Sequence, residues 1–305
     1  MSLNNLLSAG VLIAVTSQLA LAQSVIPDLN IGARNAALGN ANMSEYHDIT
    51  SMYENPAAIA FLGNASVALN HTQGNYREMQ ENLAFPLLYG QDQMLAVSAQ
   101  VYNLGEISRS ASFGGYRLYG LGYNIAYAHT IIPTLSAGGA IAFRQGAVSN
   151  INSTTAASYT MGVDYVPSGG FSYGLTFGGL GSDVTFPMIN NRVRAVRTVL
   201  PTTITIGATM KFPAAESMQS PFLVIAMSSE KLFKPSVNIF RGGIELLPIK
   251  ILAVRFGYVA GSGLNEPTFG LGVHLEPIQV DAAMYPVRTG SSTAMYMQLT
   301  LSSQL

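Results

Sequence analysis

The chain has 305 residues, of which 49% are hydrophobic and only 10% are charged, with 30 glycines and no cysteine. Soluble domains carry about 25% charged residues, so this chain has too few charges to cover a soluble surface of its size. The net charge of −1 argues against a nucleic-acid-binding surface, which needs clustered basic residues. The lack of cysteine excludes disulfides, thiolate metal sites, a cysteine nucleophile and a lipoprotein anchor.

Residues 1–22 have the pattern of a secretory signal peptide. An apolar centre runs from Leu6 to Val15, and Ala20-Leu21-Ala22 before Gln23 matches the small-x-small cleavage pattern. The alternative is a short N-terminal membrane helix, although the apolar run falls short of the ~20 residues that a span needs. We therefore expect an exported protein with residues 1–22 as its signal peptide.

Residues 23–65 form a second region, rich in Ala, Asn and Gly, which lacks the period-two alternation of strands. Residues 32–39 suggest a short helix or turn, and residues 53–60 a turn that opens a short helix, with Pro56 near its first position. Such a segment can fold back into a barrel as a periplasmic plug, and a flexible lead-in is the alternative. The plug prediction centres on Arg34, Asn55 and Pro56.

Residues 66–305 alternate in character, as β-strands do when their two faces meet different surroundings. In one run Phe269, Leu271 and Val273 alternate with Gly270 and Gly272. Apolar residues facing lipid and polar residues facing a lumen give this pattern, whereas a soluble sandwich would need more exposed charge. The prediction is an all-β, transmembrane antiparallel β-barrel of about 14 strands. The predicted runs are 66–73, 80–88, 93–102, 119–129, 135–145, 156–166, 171–180, 202–211, 222–229, 237–246, 250–259, 268–276, 278–285 and 293–301.

Connection lengths between these runs indicate how the barrel is oriented. The connections after odd-numbered runs are mostly longer than those after even-numbered runs, with 212–221 as the exception. In bacterial outer-membrane barrels the long loops lie outside, and an even number of strands leaves both termini in the periplasm. The predicted location is the bacterial outer membrane, with outer-membrane lipid and lipopolysaccharide as its surroundings.

A set of charged side chains falls on the predicted inward face. Opposite charges in a narrow lumen can pair and hydrogen-bond, which would fill the barrel and hold a plug in place. A path for a substrate is the alternative interpretation. The predicted lumen residues are Arg144, Asp164, Arg241, Glu245, Arg255, His274, Glu276 and Asp281.

The predicted outer loop 181–201 contains Arg192, Arg194 and Arg197 in close succession. These three arginines could contact an acidic protein partner or a lipopolysaccharide phosphate. They could equally form a solvated loop, since arginines at a membrane surface need no partner.

Sequence motifs for catalysis are lacking. The four histidines have no HExxH or other ligand spacing, and there is no G-x-S-x-G elbow or Gly-rich loop joining a strand to a helix. His274 and Glu276 could form a proton-transfer pair, but both fall within the predicted lumen set. We therefore expect no enzymatic activity, no cofactor and no metal, although some outer-membrane proteases and phospholipases are also barrels.

The N-terminal region resembles the PorV/PorQ family of the type IX secretion system. The resemblance lies in Gly32-Ala33-Arg34, Ala37-Leu38-Gly39, Asp48 and Tyr53-Glu54-Asn55-Pro56-Ala57, and again in Leu200-Pro201-Thr202. It implies a FadL-like fourteen-stranded barrel that binds other secretion or cell-surface proteins.

Wider FadL-like barrels share the Asn-Pro-Ala turn, which leaves a second function open. This alternative is a FadL-like outer-membrane channel for hydrophobic solutes, in which the plug moves and the barrel wall opens sideways. It predicts an apolar pocket near the N-terminal segment. A structural barrel without transport is a third possibility.

Overall fold

The computed structural model describes residues 31–44, 48–62, 65–75, 78–108, 115–148, 154–167, 169–181, 184–186, 196–198, 202–212, 222–233, 236–261, 263–289 and 292–304. Three short helices come first: α1 (Ala33–Ala37) and the 3-10 helices η1 (Ile49–Tyr53) and η2 (Pro56–Phe61). The predicted signal peptide lies outside the described residues. Within them, no helix is long and apolar enough to cross a membrane.

The strands follow in chain order. They are β1 (Ser66–Gln73), β2 (Met79–Tyr89), β3 (Gln93–Ser108), β4 (Gly115–Ile132), β5 (Leu135–Val148), β6 (Thr154–Tyr165), β7 (Phe171–Gly181), β8 (Val184–Phe186), β9 (Val196–Thr198), β10 (Thr203–Phe212), β11 (Leu223–Phe233), β12 (Ser236–Ile249), β13 (Leu252–Gly261), β14 (Leu264–Leu275), β15 (Ile278–Thr289) and β16 (Ser292–Gln304).

Fourteen of these strands form a closed antiparallel barrel, which confirms the predicted fold. Each strand pairs with its neighbour in sequence, except that β7 pairs directly with β10, and β1 closes the ring by pairing with β16. Closure leaves no strand edge unpaired, which is the condition for strands to cross a membrane. The remaining strands, β8 and β9, form a separate two-stranded sheet within the predicted outer loop.

The outer surface of the barrel is apolar and its inner face is polar or small. On β14, Phe269 and Leu271 are 45% and 56% exposed, whereas Thr268 and Gly272, which flank them in sequence, are buried. On β7, exposed and buried residues alternate from Phe171 to Gly178. This is the alternation expected of a barrel with lipid outside and a lined lumen inside.

Several strands are longer than the sequence pattern predicted. β3 reaches Ser108, β4 begins at Gly115, and β14 begins at Leu264 rather than Thr268. Beyond the bilayer both faces of a strand meet water, so hydrophobic alternation no longer marks it. At that end most connections are consequently shorter than predicted, and 182–202 remains the longest.

Arginine in place of Leu271 is expected to lower the free energy of unfolding in a lipid bilayer by about 2–4 kcal/mol, because the charge would face hydrocarbon. Leu271 pairs with Val254 and Ala282 in the apolar band. Denaturant titration of the barrel in vesicles measures the change. The matched control is Thr293→Arg, at the exposed end of β16, for which about 0–1 kcal/mol is expected. An equal loss of free energy of unfolding in the two variants would contradict the assignment of the Leu271 face to lipid.

The N-terminal segment, defined here as residues 31–44 and 48–62, lies against the inward-facing side of the barrel. Helix α1 contacts β13 to β16, whereas η2 contacts β3 to β6 on the other side. Almost all described residues of the segment are buried. The segment therefore crosses the lumen.

Candidate functional site

Two capped turns shape the second half of the N-terminal segment. The Asp48 carboxylate accepts a hydrogen bond from the Thr50 backbone N–H at 2.7 Å and starts η1. The Asn55 side chain accepts from the Ala57 N–H at 3.1 Å and starts η2, with Pro56 at its first turn. Asp, Asn and an early Pro are the residues that satisfy or replace free N–H groups at a helix start.

The Asn55-Pro56-Ala57 turn docks closely onto β5 and β6. Asn55 Nδ2 donates to the Val163 carbonyl at 3.1 Å, and Ser136 Oγ donates to the Ala57 carbonyl at 2.8 Å. A Cβ atom on Gly138 would lie 2.7 Å from the Ala57 nitrogen, so glycine is required for this approach. Two of the three predicted plug residues thus contact the inner wall.

Helix α1 docks on the opposite wall through its backbone. The Ala33 N–H donates to Thr300 Oγ1 at 2.8 Å, and Thr268 Oγ1 donates to the Ala37 carbonyl at 2.8 Å. A Cβ atom on Gly243 would lie 2.6 Å from the Leu38 carbonyl oxygen. These contacts satisfy helix-terminal backbone groups that would otherwise be buried without partners.

Arg34, the third predicted plug residue, links α1 to the barrel by a bidentate ion pair. Its Nε and Nη2 atoms lie 2.9 Å and 2.8 Å from the two carboxylate oxygens of Glu245 on β12. Both side chains are at least nine-tenths buried. Paired charge-assisted bonds of this geometry combine strength with a fixed orientation.

The Glu245 carboxylate belongs to a larger group, the buried charge cluster, formed by Arg34, Glu245, Arg255, Asp281 and His274. Arg255 Nε donates to Glu245, and its Nη1 donates to Asp281 Oδ1 at 2.6 Å. His274 lies at the edge, with Nε2 3.3 Å from Arg255 Nη2 and 3.7 Å from Asp281 Oδ1. The cluster joins four wall strands, β12 to β15, and the segment in one set of compensated charges.

The other predicted lumen residues lie apart from this cluster. Arg241 pairs with Glu230 at 2.5 Å, and Arg144 faces a cavity on another side of the lumen. Asp164 lies on β6 and is fully buried. The expectation for Glu276 needs correction: β14 ends at Leu275, so Glu276 lies exposed in the following turn.

The predicted outer-loop arginines are only partly covered by the structure. Arg192 and Arg194 lie outside the described residues. Arg197 lies in β9, where the backbone alone is described. A contact of these residues with a partner or with lipopolysaccharide therefore stays a prediction.

A cavity of about 390 Å³ lies inside the barrel, between the N-terminal segment and the end of the barrel that carries the longer loops. Small-molecule sites commonly have volumes of about 300–1,000 Å³. The segment contributes the first six lining residues in the following list, and β3 to β7 and β10 to β12 contribute the others. The lining consists of Ile31, Asn40, Met43, Met52, Tyr53, Glu54, Gln100, Tyr102, Asn124, Ala140, Ala142, Arg144, Ser158, Thr160, Thr176, Gly178, Gly179, Thr203, Thr205, Glu230, Leu232 and Arg241.

Tyr53 connects the cavity floor to the barrel wall. Its hydroxyl accepts hydrogen bonds from Asn82 Nδ2 at 2.7 Å and Gln100 Nε2 at 3.2 Å. Burial raises the pKa of the Tyr53 phenol above 10.0, which outweighs the opposing effect of these hydrogen bonds. The hydroxyl therefore stays protonated and neutral at physiological pH.

Comparison with solved structures places this architecture among FadL-like barrels. The Pseudomonas putida toluene transporter TodX matches with a TM-score of 0.67 and 12% identity over 90% of this chain and 98% of that chain. The Ralstonia pickettii toluene transporter TbuX matches with a TM-score of 0.64 and 12% identity, over 90% and 98%. A Pseudomonas aeruginosa FadL homologue matches with a TM-score of 0.58 and 10% identity, over 87% and 96%.

At these identities the likeness establishes the fold. The protein is an outer-membrane β-barrel with the architecture of FadL-like channels. No family model and no curated protein matches the chain.

Sequence reasoning missed most of the neutral contacts in the lumen. Ser136, Thr268 and Thr300 each bond the segment's backbone, yet each resembles an ordinary inward-facing strand residue. The available signal was the run of very small inward residues on β14, such as Gly270 and Gly272, which leaves room for a buried segment.

Proposed function

We propose that the protein is a gated outer-membrane channel for small solutes, and that its N-terminal segment acts as the plug. The observation that carries the proposal is the position of this segment across the lumen, held by the buried Arg34–Glu245 pair. A barrel closed in this way passes a solute only when part of the segment moves.

The two halves of the segment are attached to the wall in different ways. Residues 48–62 bury Ile49, Met52 and Ile59 in an apolar cluster with β1 to β5. Residues 31–44 bury Leu38 and Met43 as well as the alanines of α1, and they are also held by the Arg34–Glu245 ion pair. Because this half depends on an ion pair that can separate as a unit, we assign residues 31–44 as the gate and residues 48–62 as the anchor.

The structural neighbours support a channel more than a role in secretion. The two toluene transporters and the FadL homologue share this barrel along nearly their whole length. A channel for hydrophobic solutes was expected to have an apolar pocket near the segment. Here the cavity lining is mixed: Ile31, Met43 and Met52 are apolar, whereas most of the barrel side is polar, so the proposal does not restrict the cargo to hydrocarbons.

A disulfide between the gate and the wall tests this function. A Cβ atom on Gly207 would lie 3.0 Å from Met43 Cβ, so a Met43→Cys, Gly207→Cys pair needs a small shift to reach disulfide geometry. The chain has no cysteine of its own, so no other disulfide can form. Oxidation is expected to reduce solute flux into proteoliposomes at least about tenfold by holding the gate closed, and reduction to restore it.

Each single-cysteine variant serves as the control, and its flux should not respond to oxidant. Equal flux in the oxidised and reduced double variant would rule out gating by residues 31–44. Mass spectrometry of the oxidised protein verifies that the disulfide has formed.

The secretion role rests on the N-terminal resemblance to the PorV/PorQ family and stays a sequence-based prediction. It expects other type IX secretion or cell-surface proteins to bind the barrel. Purification from solubilised outer membranes with identification of bound proteins by mass would test it: stoichiometric protein partners support secretion, and their absence supports the channel.

A further inference from the structure

The barrel wall of the 390 Å³ cavity is dominated by hydroxyl and amide groups. Thr160, Thr176, Thr203 and Thr205 line one side, and Gln100 is among the amide side chains on the other. Each hydroxyl can donate and accept a hydrogen bond, and each amide does both with separate atoms. A wall of this kind suits a ligand that also carries donors and acceptors.

The charges around the cavity are balanced. Arg144 and Arg241 are matched in number by Glu54 and Glu230 among the lining residues. Arg241 and Glu230 also contact each other at 2.5 Å. A cavity with compensated charges provides little net attraction for either an anion or a cation.

Asn124 is a further amide in the cavity lining, with its side chain 6% exposed. A hydrocarbon packed against this wall would cover the hydroxyl and amide groups without replacing their hydrogen bonds to water. A ligand hydroxyl would replace those hydrogen bonds.

The floor of the cavity has a different character. Ile31, Met43 and Met52 contribute apolar surface, and the neutral Tyr53 lies beside them. A ligand that fits both surfaces has one apolar face and several hydroxyl groups around its edge. Sugar rings have this distribution of C–H and O–H groups.

We infer that the cavity binds an uncharged, hydroxyl-rich solute of about the size of a sugar ring, whose hydroxyls face the threonine and amide wall. This inference rests on the proposed channel function for its biological meaning, but the binding itself can be measured separately. A solute of this kind differs from toluene, for which the two similar transporters are named.

Binding of three probes of equal ring size tests the inference. Glucose, glucuronate and glucosamine differ chiefly in charge, and the whole protein is held in a detergent without a sugar head group. Saturation-transfer NMR is expected to show saturable glucose binding, tighter than that of either charged probe by at least about tenfold, because a charge would lie unpaired in a compensated site.

Two variants place the binding in this cavity. Ala142→Phe fills it and is expected to abolish glucose binding, whereas Ala282→Phe, on the lipid-facing side of β15, should leave binding unchanged. Thr160→Val keeps the side-chain shape and removes one hydroxyl, so it should weaken binding roughly 5- to 10-fold even if Ala142→Phe fails to fold.

The inference is overturned if glucose does not bind saturably, if a charged probe binds more tightly, or if Thr160→Val and Ala142→Phe bind as the unchanged protein does. The disulfide experiment separates this failure from failure of the channel. Flux that responds to the disulfide without glucose binding leaves the channel intact, and glucose binding with flux insensitive to the disulfide leaves the site intact.

Discussion

Replacing Arg255 with methionine is expected to lower the free energy of unfolding of the barrel by about 3–5 kcal/mol. The Arg255 side chain is fully buried and contacts both Glu245 and Asp281. Methionine fills a similar volume but removes the guanidinium that contacts both Asp281 and Glu245. Breaking a buried pair is costly because the remaining charge stays in a medium of low polarity.

Equilibrium unfolding in denaturant, with the protein in vesicles, measures this loss. Arg288→Met is the matched control, because Arg288 is exposed near the end of β15 and bonds the Gly263 carbonyl at 2.8 Å. The free energy of unfolding of Arg288→Met should differ from that of the unchanged protein by no more than about 0.5 kcal/mol. Adding Asp281→Asn to Arg255→Met should recover part of the loss. Equal effects of Arg255→Met and Arg288→Met would show that the cluster does not stabilise the barrel.

Replacing Arg34 with methionine is expected to release the gate while leaving the barrel folded. Arg34 is the one charged residue of α1, and Glu245 keeps Arg255 as a partner after the change. Because Glu245 keeps Arg255 as a partner, we expect the net loss for the whole Arg34 pair to be about 1.5–3 kcal/mol, so the undocked population should rise roughly 10- to 100-fold. Solute flux should increase in proportion while undocking remains the limiting step.

Thiol labelling provides a direct measure of undocking. In Gly207→Cys the new side chain would lie against Met43, so Arg34→Met should accelerate its labelling by moving the gate away from it. Arg34→Lys is the matched control: it keeps the charge but loses the bidentate geometry, and an intermediate rate is expected. Labelling at the unchanged rate in Arg34→Met would show that this ion pair does not hold the gate closed.

The two predictions separate the two tasks of the buried charge cluster. Arg255 lies in the wall and holds neighbouring strands, so its loss should affect stability first. Arg34 lies in the segment, so its loss should affect opening first. We expect Arg34→Met to change solute flux without changing the free energy of unfolding. We expect Arg255→Met to change the free energy of unfolding without changing solute flux.

Local features of the chain could be predicted because they depend on neighbours in sequence. The period-two pattern and the scarcity of charge indicated a membrane barrel, since only a lipid-facing surface tolerates so many exposed apolar residues. The Asn55-Pro56 turn was predictable for the same reason, because a helix cap is formed within three residues. The ends of strands outside the bilayer could not be predicted, because alternation stops there, and β3 and β14 are examples.

The sequence alone determined that this chain forms a lipid-facing barrel with an N-terminal region of different character, because alternation and capping are properties of adjacent residues. It also marked Arg34, Glu245, Arg255, His274 and Asp281 as unusual charges. Only the tertiary structure decided that these charges meet, since Arg34 and Glu245 are 211 positions apart and come together through strand register and barrel closure. The same closure left Glu276 outside the cluster and formed the polar cavity, because a one-residue difference in strand end or register changes which side chains face the lumen.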